Sequence, residues 1–176
     1  DCAVIPSGPA NSNDASMRLR ISLICPDQHV IYDGHTPATC GVGGGVTARV
    51  RLLSALAKRG HQVTAIVNCA NAQTIDGVRY QPLTAATRID ADVVIGMTTG
   101  GQLSLAPLSH YEIHTTLRVA WIQGVPQPQA LDALRPDYVC VASDFLRQVC
   151  IDRWGLPEST LFVCYNGLTP NPPTTT

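Results

Sequence analysis

The stretch that decides the fold is CGVGGGVTARVRLLSALAKRGHQVTAIV, residues 40–67. Its opening is glycine from Gly41 to Gly45, broken only by Val42. Val46, Val50, Leu53 and Ala57 then recur on one helical stripe, with Leu52 and Leu56 beside it, while Arg51, Ser54 and Lys58 face away. Gly60 stops this helix, and QVTAIV has the apolar, β-branched character of a buried strand. A glycine loop, a helix from about Val46 and a strand in that order read as one crossover of a parallel sheet.

The same alternation extends in both directions. LRISLIC precedes the glycines, and VRYQPL, DVVIGM, LRVAWIQ, DYVCVAS and TLFVCYN follow, several of them apolar on both faces as in strands covered by helices on two sides. A second helix is signalled by SDFLRQVCIDRWGLP: Ser143 or Asp144 caps it, Phe145, Val149 and Cys150 pack inward, and Gly155 with Pro157 ends it. The expected class is therefore α/β, a doubly wound, Rossmann-like parallel sheet spanning residues 17–168. Residues 1–16 are small, polar and broken by prolines, a composition expected to form a disordered leader, and Met17 reads as a natural start. TPNPPTTT predicts a flexible tail over 169–176.

At 176 residues the chain fits one domain with a real core. A formal charge of −1 provides no broad field for nucleic acid or an anionic membrane, so any anion site has to be local. No apolar run approaches the roughly 20 residues of a transmembrane segment, and the first residues lack a secretory signal. Of the seven cysteines, Cys25, Cys69, Cys140 and Cys164 belong to strand-like runs, where a thiol is a small hydrophobe; Cys2, Cys40 and Cys150 are less constrained. This usage points to a reducing cytoplasm rather than a disulfide framework.

In an open parallel sheet, ligands gather at the carboxyl ends of strands, where a helix start offers unpaired backbone N–H groups. Gly43, Gly44 and Gly45 would let a phosphate approach those amides with no side chain in the way. The alternative is that the glycines only permit unusual backbone angles. A dinucleotide fingerprint is excluded: Val46 stands at the third glycine position, a long loop from Pro26 to Cys40 intervenes, and the second strand ends in Asn68 and Cys69 instead of an acid. No Walker-type glycine–lysine motif occurs.

GVGGGV, the helix ending LLSALAKRGHQVTAIV, the strand RVAWIQG and the segment DYVCVASDFLRQVCIDRWGLPESTLFVCYNG resemble, in content and order, the amino-terminal domain of GT-B glycosyltransferases of the family 4-like group. The resemblance covers most of residues 17–168. It implies a retaining, metal-independent transfer of sugar from a nucleotide-sugar donor to a glycan or small-molecule acceptor held mainly by this domain. It also implies that Gly43, Gly44 and Gly45 lie near the donor diphosphate, that Ser143 opens a helix beside the cleft, and that Asn166 and Gly167 precede the hinge. Two departures stand out. Gln123 replaces a common histidine, so it can bond a sugar hydroxyl but not carry a proton at neutral pH. After NG the family continues into a carboxyl-terminal donor domain, whereas here Leu168 and Thr169 lead into the polar tail. Since orientation in a closed cleft supplies about 7–11 kcal/mol of barrier lowering, the chain by itself is expected to be inactive. The other readings are a stand-alone nucleotide- or carbohydrate-binding module without catalysis and a zinc-stabilised regulatory domain.

The loop CPDQHVIYDGHTPATC holds Cys25, His29, His35 and Cys40, all residue types that zinc accepts, at a spacing that fits no standard finger. With no metal expected there, His29, Tyr32, Asp33 and His35 become candidates for flanking an acceptor. Thr98 and Thr99, in MTTGG after a strand, offer hydroxyls to the same edge. Arg49 lies between Leu53 and Leu56 by helical angle and either reaches an anion at the cleft or snorkels to solvent. Trp121 and Trp154 read as packing residues, and His110 and His114 of HYEIH as a solvated or core pair.

Overall fold

The computed structural model describes residues 17–85, 87–99, 104–125 and 128–167. The leader, the tail with Leu168, and Gly100 and Gly101 of MTTGG lie outside the described residues. In chain order the regular elements are β1 (Arg20–Ile24), α1 (Thr36–Thr39), α2 (Gly44–Lys58), β2 (Gln62–Val67), β3 (Gln73–Ile75), β4 (Val78–Pro82), β5 (Arg88–Asp90), β6 (Val93–Met97), β7 (Glu112–His114), β8 (Leu117–Ile122), β9 (Tyr138–Val141), α3 (Asp144–Trp154) and β10 (Leu161–Val163). Eight strands form one sheet in the order β10-β9-β8-β6-β1-β2-β4-β3. All of its pairings are parallel except that of β3 with β4, and β5 pairs with β7 in a separate small sheet. The α/β class with a mostly parallel, Rossmann-like sheet is thus the observed fold.

The apolar periods divide the core in two. Leu23, Val63, Ala65, Val78 and Tyr80 project from one face and meet Val46, Val50 and Leu53 of α2. Their strand neighbours Ile24, Ile66, Val94, Ala120 and Ile122 project from the other and meet Leu105, Leu108, Leu134 and, from α3, Leu146 and Cys150. The connections into β8 and β9 contain 3-10 turns, Ala106–His110 and Pro128–Leu131, where a doubly wound sheet ordinarily has full helices. Gly96 in mid-β6 is what lets this thin layer pack closely: a β-carbon there would lie 2.7 Å from Leu134 Cδ2.

Local chemistry sets the element ends. Helix α2 begins two residues before Val46, with Gly44 and Gly45 inside its first turn, and closes through Gly60 at φ +92°. Helix α3 is capped by Ser143, whose Oγ accepts from the Leu146 amide at 3.2 Å, and Gly155 ends it at φ 62°. One residue of the expected inner face is corrected: Phe145 is 69% exposed, and Leu146 takes the buried position beside Val149 and Cys150. The helix starts one residue after Ser143, which rotates Phe145 out and Leu146 in. Asp76 and Gly77, with φ 49° and 77°, form the two-residue turn that folds β3 back on β4.

From β1 the sheet grows through β2 and β4 in one direction and through β6, β8, β9 and β10 in the other. The order reverses between β1 and β6, so the loops leaving these two strands separate and open a crevice at their carboxyl ends.

Candidate functional site

Four strands of the parallel sheet deliver side chains to that edge. Asp27 follows β1, Thr98 and Thr99 follow β6, Gln123 follows β8 and Ser143 follows β9. Across the reversal, Thr99 Oγ1 donates to Asp27 Oδ2 at 2.5 Å. His29 is held on the same carboxylate, with its amide 3.0 Å and its Nδ1 2.8 Å from Asp27 Oδ1. Burial pulls the Asp27 carboxyl up, but the Thr99 and His29 hydrogen bonds, helped by the charge of Arg49, hold it below the usual carboxylate value. The residue is therefore an anion at neutral pH.

The glycine loop lies on the same rim. Gly43 is the N-cap of α2 in extended conformation, φ −63° and ψ 156°, and no side chain caps the helix. The first bonds of the turn run from the Val46 and Thr47 amides to Gly43 O, which leaves the Gly44 and Gly45 amides ahead of them without intrahelical acceptors. None of Gly41, Gly43, Gly44 or Gly45 has a left-handed φ, and a β-carbon on any of them meets no heavy atom within 4 Å. The reading in which these glycines serve unusual backbone angles is thereby corrected: an alanine fits their backbone and meets no obstacle among the described residues.

The two helices that start on this rim differ. Helix α3 satisfies its own start with Ser143 and carries Asp144 in its first turn. Helix α2 has neither a capping side chain nor an acid in its first turn. The positive end of the α2 dipole is left uncompensated, and the glycines keep its amides bare.

Arg49 of the same helix is buried, so it neither opens onto the cleft nor snorkels to solvent, although its charge is felt by Asp27. It is 2% exposed, its Nη1 donates to Cys25 Sγ at 2.8 Å, and its guanidinium stacks 4.8 Å from the centroid of the Tyr32 ring. Burial pushes both the Cys25 thiol and the Tyr32 phenol up, so both stay neutral around a permanent cation. Tyr32, expected to flank an acceptor, is 3% exposed and belongs to the core.

Other candidates divide between rim and scaffold. Asp33 is engaged in the loop, accepting from the His35 amide at 2.9 Å and from Gln73 Nε2 at 2.7 Å. His35 is exposed at the start of α1, a helix of one turn. Thr98 is buried: its amide donates to Trp121 O at 3.1 Å and its Oγ1 accepts from the Gln123 amide at 3.4 Å. Gln123 Oε1 accepts from Asn166 Nδ2 at 2.9 Å, while its Nε2 is shielded and has no partner among the described residues. Cys25, His29, His35 and Cys40 do not converge, and no group of three metal-ligating side chains occurs among the described residues. His114 is paired with Glu112 at 2.6 Å on the outer side of the small β5–β7 sheet, whose Ile89 packs into the core. Trp121 and Trp154 pack against the two core clusters as expected.

A cavity of about 360 Å3 opens between α2 and the chain leaving β10, lined by Ala48, Arg51, Leu52, Trp121, Tyr165 and Asn166. Trp121 Nε1 is buried and has no partner among the described residues. Tyr165 donates to Asp144, so the segment that roofs the cavity is tied to α3 as well as to Gln123. Asp27 is the rim residue that sequence reasoning passed over. Its signal was positional, since it stands just beyond the first strand at the reversal of strand order.

No protein-family model matches the chain, and no curated protein matches it significantly. No helix among the described residues is long and apolar enough to cross a membrane.

Proposed function

We propose that the chain is the acceptor-side domain of a retaining glycosyltransferase that uses a nucleotide-sugar donor. The observation that carries the reading is the bare start of α2. Its glycines are required by neither backbone angle nor packing, and they stand at the strand-order reversal where parallel sheets bind ligands. A ligand that approaches the amides closely accounts for them, and a diphosphate has the charge that an uncompensated helix start favours. Asp27, Thr99 and Gln123 supply hydroxyl-binding groups on the same rim, as a sugar acceptor requires. The resemblance to GT-B amino-terminal domains assigns the glycine loop the same neighbour.

The roles follow from chemistry. The Gly44 and Gly45 amides hold β-phosphate oxygens and disperse the charge that builds on the leaving diphosphate. Asp27, already ionised, accepts from an acceptor hydroxyl and orients it. Gln123 positions without moving a proton. Reaction also needs a second lobe that excludes water and fixes the donor sugar, which the GT-B resemblance supplies as a carboxyl-terminal domain. Titration of the isotope-labelled chain with UDP, followed by amide NMR, tests the proposal. Saturable shifts of the Gly43, Gly44 and Gly45 amides are expected, and their absence at millimolar UDP overturns it.

A further inference from the structure

The opposite edge of the sheet has a polar floor that the fold does not explain. Ser22 of β1 pairs in register with Thr64 of β2, and Thr64 with Arg79 of β4. These three lie on the face turned away from α2, because their neighbours Leu23, Val63 and Val78 pack on α2. Interior strands of parallel sheets are apolar on both faces where helices cover them. Among the described residues no α-helix does so: between β2 and β6 they form the β3–β4 hairpin, the 3-10 turn Leu83–Ala85 and β5.

A cavity of about 380 Å3 stands over this floor, walled by Arg18, Arg20, His61, Gln62, Arg79 and Asp90. That volume lies within the range of small-molecule sites. The charges around it are unbalanced. Arg20 is matched by Asp92 at 2.8 Å and Asp90 by Arg88 at 2.8 Å. Arg18 and Arg79 have no acidic partner among the described residues. His61 Nδ1 accepts from the Leu19 amide at 3.4 Å, which leaves Nε2 as the protonated donor. Ser22 is 7% exposed and lines the cavity, and its hydroxyl has no hydrogen-bond partner among the described residues. A hydroxyl open to a cationic cavity can both donate to and accept from a hydroxylated ligand seated there.

We infer that this cavity binds a phosphate monoester of a polyhydroxy compound, a sugar phosphate. The Arg18 and Arg79 guanidiniums and His61 Nε2 take the phosphate, and the Ser22 and Thr64 hydroxyls with the Gln62 carboxamide take the hydroxyls. The site is separate from the glycine rim and does not depend on the function proposed for it.

The test is an amide NMR titration of the full chain with glucose 6-phosphate, with inorganic phosphate and glucose as controls. Saturable shifts are expected at Ser22, His61 and Thr64, with none at Gly43, Gly44 and Gly45. R18Q and R79Q, both at exposed positions, should each raise the dissociation constant about tenfold or more, the usual scale for losing a charge-assisted bond. Three results overturn the inference: no saturation at millimolar ligand, unchanged shifts in the R18Q/R79Q double variant, or equal affinity for either control. Because UDP is read at the glycine amides, failure here leaves the glycosyltransferase proposal standing, and the converse also holds.

Discussion

Replacing both Gly44 and Gly45 by alanine separates a ligand cradle from a structural turn. Both residues are in the first turn of α2, neither has a left-handed φ, and a β-carbon at either position finds no atom within 4 Å. Alanine reduces the entropy of the unfolded chain and suits a helix, by about 0.5 kcal/mol at each site, so the double variant gains about 1 kcal/mol. For a chain of this size that raises the melting temperature by roughly 2–4 °C. On the proposed function the same two methyl groups would stand between diphosphate oxygens and the amides, so UDP affinity should fall by about tenfold or more. Calorimetric melting and NMR titration on the same samples read both effects. A lower melting temperature would mean that the glycines serve packing after all, and unaltered UDP binding would remove the anion from their explanation.

Gly96→Ala should cost about 1–3 kcal/mol in urea unfolding, because its methyl collides with Leu134 and crowds Leu105 and Leu108; a neutral result would show that this layer has slack. Ser143→Ala should lose about 1 kcal/mol by the same assay, since it removes the α3 cap, and Ser143→Thr should recover most of it. Arg49→Met should leave stability within about 1 kcal/mol of the parent or raise it, because a buried cation without a carboxylate contact is exchanged for a matching apolar chain; a loss above about 3 kcal/mol would show the guanidinium to be indispensable. Acid should destabilise the fold: Asp27, Asp90, Asp92 and Glu112 are all held below the ordinary carboxylate values of about 4 by their hydrogen bonds. Their contribution is full above those values and is lost as pH falls through the lower folded ones. Urea midpoints that stay level from pH 6 to pH 3 would contradict it.

The sheet and both long helices were legible because their signals are periodic and local. Val46, Val50 and Leu53 announce the buried stripe of α2, and Gly155 the end of α3. The strands β5 and β7, three residues each, carry no period long enough to read. The Asp76–Gly77 turn did leave a sequence signal, a DG pair between strand formers, which the alternation of helix and strand overshadowed. At the site, composition marked the glycines, but Asp27 gains its meaning from Thr99, 72 residues away in sequence. Tyr32 and Arg49 looked like surface chemistry because each is amphipathic. Their mutual stacking under the loop is a tertiary fact that no helical angle contains.

The knot of Cys25, Tyr32 and Arg49 has a consequence for how the chain can vary. One buried cation touches the strand end, the following loop and the helix together, so the three share a single packing environment. Drift at any of these three positions is answered at the other two, and substitutions there should be strongly non-additive. Relatives of this chain are then expected to carry either this cation between thiol and ring or an oily residue in its place.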